Sequence, residues 1–206
     1  MLNTTNNIEI SSPGSAPLLT IGVVTDTHLP DRTRSLPAGL LSGLRTAGVS
    51  AILHAGDITT QSVLDALAQI APVTAVMGNR DWFIRPILPL TRTLEFAGIK
   101  IGLAHGHGGW ITYLVDKIQQ IIIGYHFERY RRRLLPLFPQ ARVIIFGHTH
   151  IPEMRWDNGI LFFNPGGACA CPQNEFHPHF GLLHFYEGGK VDGEIISLPN
   201  GNGNQG

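Results

Sequence analysis

Short apolar runs separated by helical patterns constrain the fold of this chain more than any other feature. The run Leu18–Thr25 is rich in β-branched residues, which is typical of a buried strand. A helical pattern from Pro37 to Gly48 separates it from a second apolar run, Ser50–Ala55. Another helical pattern and the run Val73–Met77 complete a βαβαβ unit. Because such units form parallel sheets covered by helices, the first half predicts an α/β fold.

Hairpin signals dominate the second half of the chain. A buried run, Ala141–Phe146, lies among them, and Asp157-Asn158-Gly159 is a strong hairpin turn. We expect largely antiparallel pairing here, and two packed mixed β-sheets flanked by helices for the whole chain. The paired runs are Thr91–Phe96 with Ile99–Ala104, Met154–Trp156 with Ile160–Phe163, and Gly181–Tyr186 with Val191–Ser197.

Composition places a single folded domain between two polar ends. Hydrophobic residues make up 43% of the 206-residue chain, enough for a substantial core. Residues 1–17 and 199–206 are rich in Asn, Ser and Gly and bury too little apolar surface to offset the cost of ordering. We therefore expect disordered tails around one domain, residues 18–198.

Charge and cysteine usage exclude several classes of protein. Lys plus Arg equals Asp plus Glu at 15 each, so no overall field attracts nucleic acid or an anionic membrane. No apolar run reaches the roughly 18 residues of a membrane span, and the start lacks the parts of a signal peptide. The only two cysteines are one residue apart, which disfavours a disulfide framework. We expect a cytoplasmic protein without membrane or nucleic-acid partners.

A long helix is predicted by the apolar stripe from Ile111 to Tyr125. Four arginines are expected near its end, where cations suit the helix dipole and form a solvated face. They are Arg129, Arg131, Arg132 and Arg133.

Seven polar side chains share one position, immediately after a predicted strand. They are Asp26, His28, Asp57, Asn79, His105, His148 and His150. Ligands of open α/β sheets gather beyond the carboxyl ends of the strands, and four of the five junctions carry a glycine that permits a sharp turn. These residue types at one edge predict a cage for metal ions.

Other chemistries lack their motifs. The chain has no G-x-S-x-G elbow, no G-x-G-x-x-G and no Walker lysine motif. Cys169 and Cys171 are away from the predicted strand ends, which disfavours a Cys-His pair. Four imidazoles, two carboxylates and one amide exceed the needs of one tetrahedral zinc, so we expect two divalent ions sharing a carboxylate. Manganese is expected first, with iron, zinc, nickel and cobalt as alternatives and a magnesium-only site disfavoured.

Five short motifs occur in order at these strand ends. They are D-x-H (Asp26, His28), G-D (Gly56, Asp57), G-N-x-D (Gly78–Asp81), H-G-H (His105–His107) and G-H-T-H (Gly147–His150). Together they resemble the calcineurin-like metallophosphoesterases. The turn Asn164-Pro165-Gly166-Gly167 is similar to that of their compact single-domain bacterial and archaeal phosphodiesterases.

The resemblance implies an αββα sandwich that hydrolyses a small phosphodiester with a metal-bridging hydroxide. By similarity, the first metal takes Asp26, His28, Asp57 and His150, and the second takes Asp57, Asn79, His105 and His148. The superfamily also contains a retromer subunit that acts as an interaction surface. A non-catalytic scaffold of the same fold is therefore the alternative function.

The residue between Asn79 and Asp81 departs from the family pattern. Many members have a histidine there that protonates the leaving oxygen, and this chain has Arg80. We hypothesise that Arg80 contacts the substrate phosphate, with His107 or water as the proton donor and Asp81 a further candidate catalytic residue. The alternative is an ion pair between Arg80 and Asp81 or a surface carboxylate. His54, inside a strand, is expected to support the ligands rather than bind metal.

The oligomeric state is left open by one apolar segment. Trp82, Phe83 and Ile84 are expected to form an exposed patch, which is either a subunit contact or a pocket wall.

Overall fold

A computed structural model describes residues 16–81, 84, 88–108 and 124–199 of the chain. Within these residues, ten strands form two five-stranded sheets, which confirms the predicted fold class. The strands are β1 (Leu19–Val24), β2 (Ala51–His54), β3 (Val73–Ala75), β4 (Thr91–Phe96), β5 (Ile99–Ala104), β6 (Val143–Ile145), β7 (Glu153–Asp157), β8 (Ile160–Asn164), β9 (His179–Phe185) and β10 (Val191–Ser197). The helices are α1 (Leu40–Thr46), α2 (Gln61–Ala68) and α3 (Phe127–Leu134).

The first sheet has the order β10-β9-β1-β2-β3. Its strands β1, β2 and β3, which lie side by side up to one edge, are parallel, with Val24 opposite His54 and His54 opposite Ala75. The predicted βαβαβ unit is therefore present. This register ends all three strands at one edge, which brings the loops after them together.

The second sheet has the order β4-β5-β6-β8-β7. Its two outer pairs are the predicted antiparallel hairpins, but β5, β6 and β8 run parallel to one another. The expectation of largely antiparallel pairing is wrong for these three strands. The connection from β5 to β6 spans almost forty residues and includes α3, and such a long crossover returns the chain in the same direction.

Apolar side chains fill the space between the sheets and the space beneath the helices. Val23 and Leu53 of the first sheet meet Ile101 and Ile145 of the second in one buried cluster. A second cluster joins α1 and α2 to the outer face of the first sheet, and a third joins α3 to the second sheet. The layers are therefore helix, sheet, sheet, helix.

The predicted long helix falls mainly on residues 109–123, which lie outside the described residues. The four arginines do not extend it, because residues 124–126 are not helical and α3 begins only at Phe127. Gly124 has a φ of 73°, a conformation that interrupts a right-handed helix. Arg131 and Arg132 of α3 both pair with Glu128, which is typical of a solvated helix face.

The expected exposed patch is not supported at Ile84, which is 5% exposed and packs beneath the helices of the first sheet. Trp82 and Phe83 lie outside the described residues, as do residues 1–15 and 200–206 of the expected tails. None of the helices described has the length and apolarity needed to cross a bilayer.

Candidate metal centre

Five loops, which follow β1, β2, β3, β5 and β6, meet at one end of the two sheets. Main-chain hydrogen bonds tie neighbouring loops together, from Asp26 N to Gly56 O at 3.0 Å and from Gly147 N to His105 O at 3.1 Å. A third bond, from His148 N to Asp26 Oδ2 at 3.0 Å, joins the two sheets. The seven side chains predicted from the sequence are thereby brought to one place.

The backbone of these loops is unusual at the predicted ligands. Five of the seven have a left-handed φ between 48° and 73°. They are Asp26, His28, Asp57, His148 and His150. Such strain in residues other than glycine is uncommon, costs roughly 1–3 kcal/mol each, and concentrates at functional sites.

Gly78 allows two of the loops to approach closely. A Cβ atom at this position would lie 2.2 Å from both the backbone nitrogen and Oδ1 of Asp57. Because that contact is with backbone as well as side chain, only glycine fits there without moving the Asp57 loop.

The side chains form two groups that share Asp57. The first group is Asp26, His28, Asp57 and His150, and the second group is Asp57, Asn79, His105 and His148. In the first group, His28 Nε2 lies 3.2 Å from His150 Nε2, 3.7 Å from Asp26 Oδ1 and 3.6 Å from Asp57 Oδ2. His150 Nε2 lies 3.5 Å from Asp26 Oδ1.

In the second group, the oxygen of the Asn79 amide lies between two imidazoles. Asn79 Oδ1 is 3.1 Å from His105 Nε2 and 3.0 Å from His148 Nδ1. These two nitrogens are 3.3 Å apart, and His105 Nε2 is 3.4 Å from Asp57 Oδ1. Asp57 therefore directs one oxygen to each group.

The residues present fit a pair of divalent ions. Donors about 2.1 Å from a tetrahedral ion lie about 3.4 Å from one another, which is close to the spacing in both groups. Asp26 is fully buried, yet among the described residues no hydrogen-bond donor reaches its Oδ1. A buried carboxylate oxygen surrounded by imidazole nitrogens is stabilised by positive charge, which a metal ion bound at this place would supply.

Burial and charge set the protonation of the centre. Burial alone raises the pKa of Asp57, but attraction and a hydrogen bond from His105 lower the pKa to about 2. For His105, burial lowers the pKa, whereas Asp57 outweighs it and raises the pKa to about 9. Burial lowers the pKa of His148 to about 3, with repulsion from His105 adding to it. The carboxylates thus remain ionised and attract positive charge.

The ligand His105 is held by the backbone oxygen of Ala55, and the loops beside two other ligands are held by buried His54. Its Nδ1 accepts a hydrogen bond from Gly56 N at 3.2 Å, and its Nε2–H donates to Thr27 Oγ1 at 3.3 Å. His105 Nδ1–H donates to Ala55 O at 2.8 Å. Since that bond places the proton of a neutral His105 on Nδ1, Nε2 faces the second group with its lone pair.

The carboxylate of Asp81 is directed to backbone N–H groups and not to the donors of the two groups. Asp81 Oδ1 accepts hydrogen bonds from Ile58 N and Thr59 N, and Oδ2 accepts one from Gly78 N, each at 2.7 Å. Both oxygens are therefore used in joining the loops after β2 and β3. These contacts favour a role for Asp81 in positioning the loops, and its predicted catalytic role stays a prediction.

Arg80 and His107 lie at the edge of the second group. The Arg80 guanidinium forms an ion pair with Asp31, while Arg80 N donates to Asp57 Oδ1 at 2.8 Å. Of the alternatives open from the sequence, the surface carboxylate is the partner found. The His107 ring centroid is 5.3 Å from that of His105, and burial, followed by repulsion from His105, lowers the pKa of His107 to about 4.

Both cysteines lie against the first group, which corrects the expectation that they are remote. The chain turns back after β8, so Cys171 Sγ is 3.3 Å and Cys169 Sγ 3.7 Å from His150 Nδ1. Ligand atoms of His28, His150 and Cys169 all lie within 4.8 Å of one another. No strand-end signal marks these thiols, although they follow the Asn164-Pro165-Gly166-Gly167 turn directly.

Comparison with known proteins identifies the class that this fold and centre define. A family model described as the calcineurin-like phosphoesterase superfamily domain matches residues 19–188. The chain belongs to this superfamily, which confirms the resemblance drawn from the motifs, and members of it use divalent metals.

Individual relatives agree with this assignment. A probable metallophosphoesterase of Methanothermobacter thermautotrophicus is 35% identical over 176 residues, covering 85% of this chain and 91% of the relative. One from Methanocaldococcus jannaschii is 36% identical over 154 residues, covering 74% and 70%. Vps29 from Entamoeba histolytica, in complex with zinc, has a TM-score of 0.60, 24% identity, and coverage of 88% of this chain and 100% of that one. The last likeness shows the shared fold.

Proposed function

We propose that this protein is a dinuclear metal-dependent phosphoesterase that prefers small phosphodiesters. The observation that carries this proposal is the position of Asp57, whose Oδ2 faces His28 and whose Oδ1 faces His105. A carboxylate shared between two groups of donors suits two ions held side by side, the arrangement of phosphatases and nucleases with two metals.

The chain supplies donors suited to such a pair. When bound, two divalent ions lower the pKa of water enough to provide hydroxide at neutral pH and offset charge on the phosphoryl group. The first group would hold one ion through Asp26, His28, Asp57 and His150, and the second group would hold the other through Asp57, Asn79, His105 and His148. Manganese is the ion we propose first, and zinc is supported by its presence with Vps29, which shares the fold.

The preference for diesters is proposed from the resemblance to the compact phosphodiesterases, and His107 and Arg80 bear on the leaving group and on phosphate binding. At neutral pH, His107 with a pKa of about 4 is uncharged and therefore a weak proton donor to a leaving oxygen. Substrates whose leaving group departs without protonation are accordingly favoured. The guanidinium of Arg80, paired with Asp31, has more N–H donors than one carboxylate uses. We expect a phosphate oxygen of the substrate to bind these donors in competition with Asp31.

The second candidate is a protein-binding scaffold, favoured by the fold shared with Vps29. A scaffold does not need the chemistry that a pair of metal ions supplies, even though Vps29 is found in complex with zinc. The presence of all seven possible metal donors at one site therefore supports the enzyme function.

Metal content and hydrolysis test the proposal together. We expect about two ions per chain by elemental analysis and manganese-dependent hydrolysis of bis(p-nitrophenyl) phosphate, faster than that of p-nitrophenyl phosphate. His148→Ala should abolish hydrolysis because it removes a donor of the second group. His184→Ala is the control, since His184 contacts Thr20 on the far part of the first sheet. A folded, metal-loaded protein that hydrolyses neither compound contradicts the enzyme and favours the scaffold.

A further inference from the structure

The imidazole of His150 has two different faces. Its Nε2 lies 3.2 Å from His28 Nε2 and 3.5 Å from Asp26 Oδ1, inside the first group. Its Nδ1 lies on the opposite side of the ring, 3.3 Å from Cys171 Sγ and 3.7 Å from Cys169 Sγ. The two thiols therefore contact the Nδ1 side of the His150 ring, whereas the other donors of the first group lie on its Nε2 side.

The segment that carries the thiols is held in place by one buried amide. Asn174 Oδ1 accepts a hydrogen bond from Cys171 N at 2.9 Å, and Asn174 Nδ2 donates to Cys169 O at 2.8 Å and to Gly167 O at 3.0 Å. Gly167 packs directly on the ring, since a Cβ there would lie 2.5 Å from His150 Nδ1. Only a glycine lets the segment lie this close to His150.

The position of the ring proton of His150 determines whether a thiol beside it acts as a hydrogen-bond acceptor. Binding an ion through Nε2 leaves the ring proton on Nδ1, and histidine ligands of metals almost always donate this second N–H to an acceptor. For His105 the acceptor is the backbone oxygen of Ala55. For His150, a sulfur occupies the corresponding place.

We propose that Cys171 orients His150 for the first metal ion by accepting a hydrogen bond from its Nδ1–H through Sγ. Cys171 is a positioning residue in this assignment, because it acts on the ion only through the imidazole. The inference rests on the metal binding of the proposed function. Cys169, which is farther from Nδ1, packs beside Cys171 without this role.

Zinc titration of three variants of the full chain tests the assignment. Loss of such an outer partner typically lowers metal affinity about 10–100-fold, and we expect this range for Cys171→Ala. The loss should affect one ion per chain and leave the other unchanged. Cys171→Ser keeps an acceptor and should recover most of the affinity, whereas Ser42→Ala, exposed on α1 and away from both groups, is the control and should bind both ions as the wild type does. Circular dichroism of the metal-free variants verifies that each is folded.

Two results overturn the assignment and leave the proposed function standing. One is tight binding of both ions by a folded Cys171→Ala variant. The other is a sulfur at about 2.3 Å from zinc in X-ray absorption of the wild-type protein, because the thiol would then be a ligand. If Cys171→Ala does not fold, Cys171→Val, which also lacks an acceptor, takes its place. Weaker binding of the first ion by Cys171→Val than by Cys171→Ser then supports the assignment, and equal binding overturns it. Failure of the wild type to bind either zinc or manganese instead contradicts the proposed function itself.

Discussion

The two groups of donors differ in burial and in what lies behind them. All four side chains of the first group are buried, and sulfur stands behind His150. In the second group, Asn79 and His148 are partly exposed, one donor is a neutral amide, and a backbone oxygen stands behind His105. A buried, charged group of donors retains an ion more strongly than a partly exposed group with a neutral amide. We therefore expect the first group to bind an ion more tightly than the second group, which is the more accessible of the two to a substrate.

Asp57→Ala should have the largest effect, because Asp57 alone belongs to both groups. We expect hydrolysis to fall by about 10³-fold or more, since ions contribute several kcal/mol of charge stabilisation to such reactions. Elemental analysis should show the loss of ions from both groups. Asp65→Ala, on the exposed side of α2, is the control for removal of a carboxylate. Retention of two ions by Asp57→Ala would show that the groups do not share a donor.

Asp81→Ala tests whether one side chain holds together the loops after β2 and β3, which carry donors of both groups. Three backbone N–H groups lose their acceptor, so we expect the free energy of unfolding to fall by about 3 kcal/mol in urea denaturation. Asp81→Asn, which keeps one acceptor oxygen, should lose less. A change below about 0.5 kcal/mol, as expected of a surface substitution, would remove Asp81 from its positioning role.

Protons compete with a metal ion for His105, but not for His148, at neutral pH. His105 without metal keeps its proton up to a pKa of about 9, so an ion that binds its Nε2 must displace that proton. We expect the affinity of the second group to rise about 10-fold per pH unit below pH 9 and to level off above it. His148, with a pKa of about 3, contributes no proton over this range. Calorimetry in buffers of different ionisation enthalpy measures the protons released, and His105→Asn should abolish this release from the second group.

Arg80→Ala is expected to have the smallest effect, because it removes no donor from either group. Its ion pair with Asp31 is partly exposed, and such pairs contribute about 0–1 kcal/mol to stability. We expect KM for a phosphodiester to rise by up to about 10-fold, as for loss of one charged contact, with kcat little changed. Asp31→Asn should lower KM by releasing the guanidinium. Unchanged steady-state kinetics in both variants would exclude Arg80 from substrate binding.

The sequence predicted most of the fold and the convergence of the seven donors for one physical reason. Apolar β-branched runs mark the strands, and a polar residue directly after a parallel strand must lie at the carboxyl edge of its sheet. Asp26, Asp57 and Asn79 follow the three strands predicted to be parallel. That these residues lie close to one another follows from the direction of their strands alone.

Other contacts depend on how loops return, which local patterns do not encode. Cys171 is 21 residues from His150 along the chain, and Arg80 is 49 residues from Asp31. Each pair forms only because of the path of a loop after its strand. The parallel arrangement of β5, β6 and β8 was missed for a related reason, since a long crossover leaves no trace in the strands that it joins.

The left-handed backbone at five donors has a consequence for the choice of ion. Those conformations are fixed by the loops and their hydrogen bonds, so the donors have little freedom to spread apart. Calcium takes six to eight oxygens at about 2.3–2.6 Å, farther out than the donors of smaller transition ions. We therefore expect these donors to bind calcium more weakly than a smaller transition ion, a preference by size as well as by the chemistry of the donors.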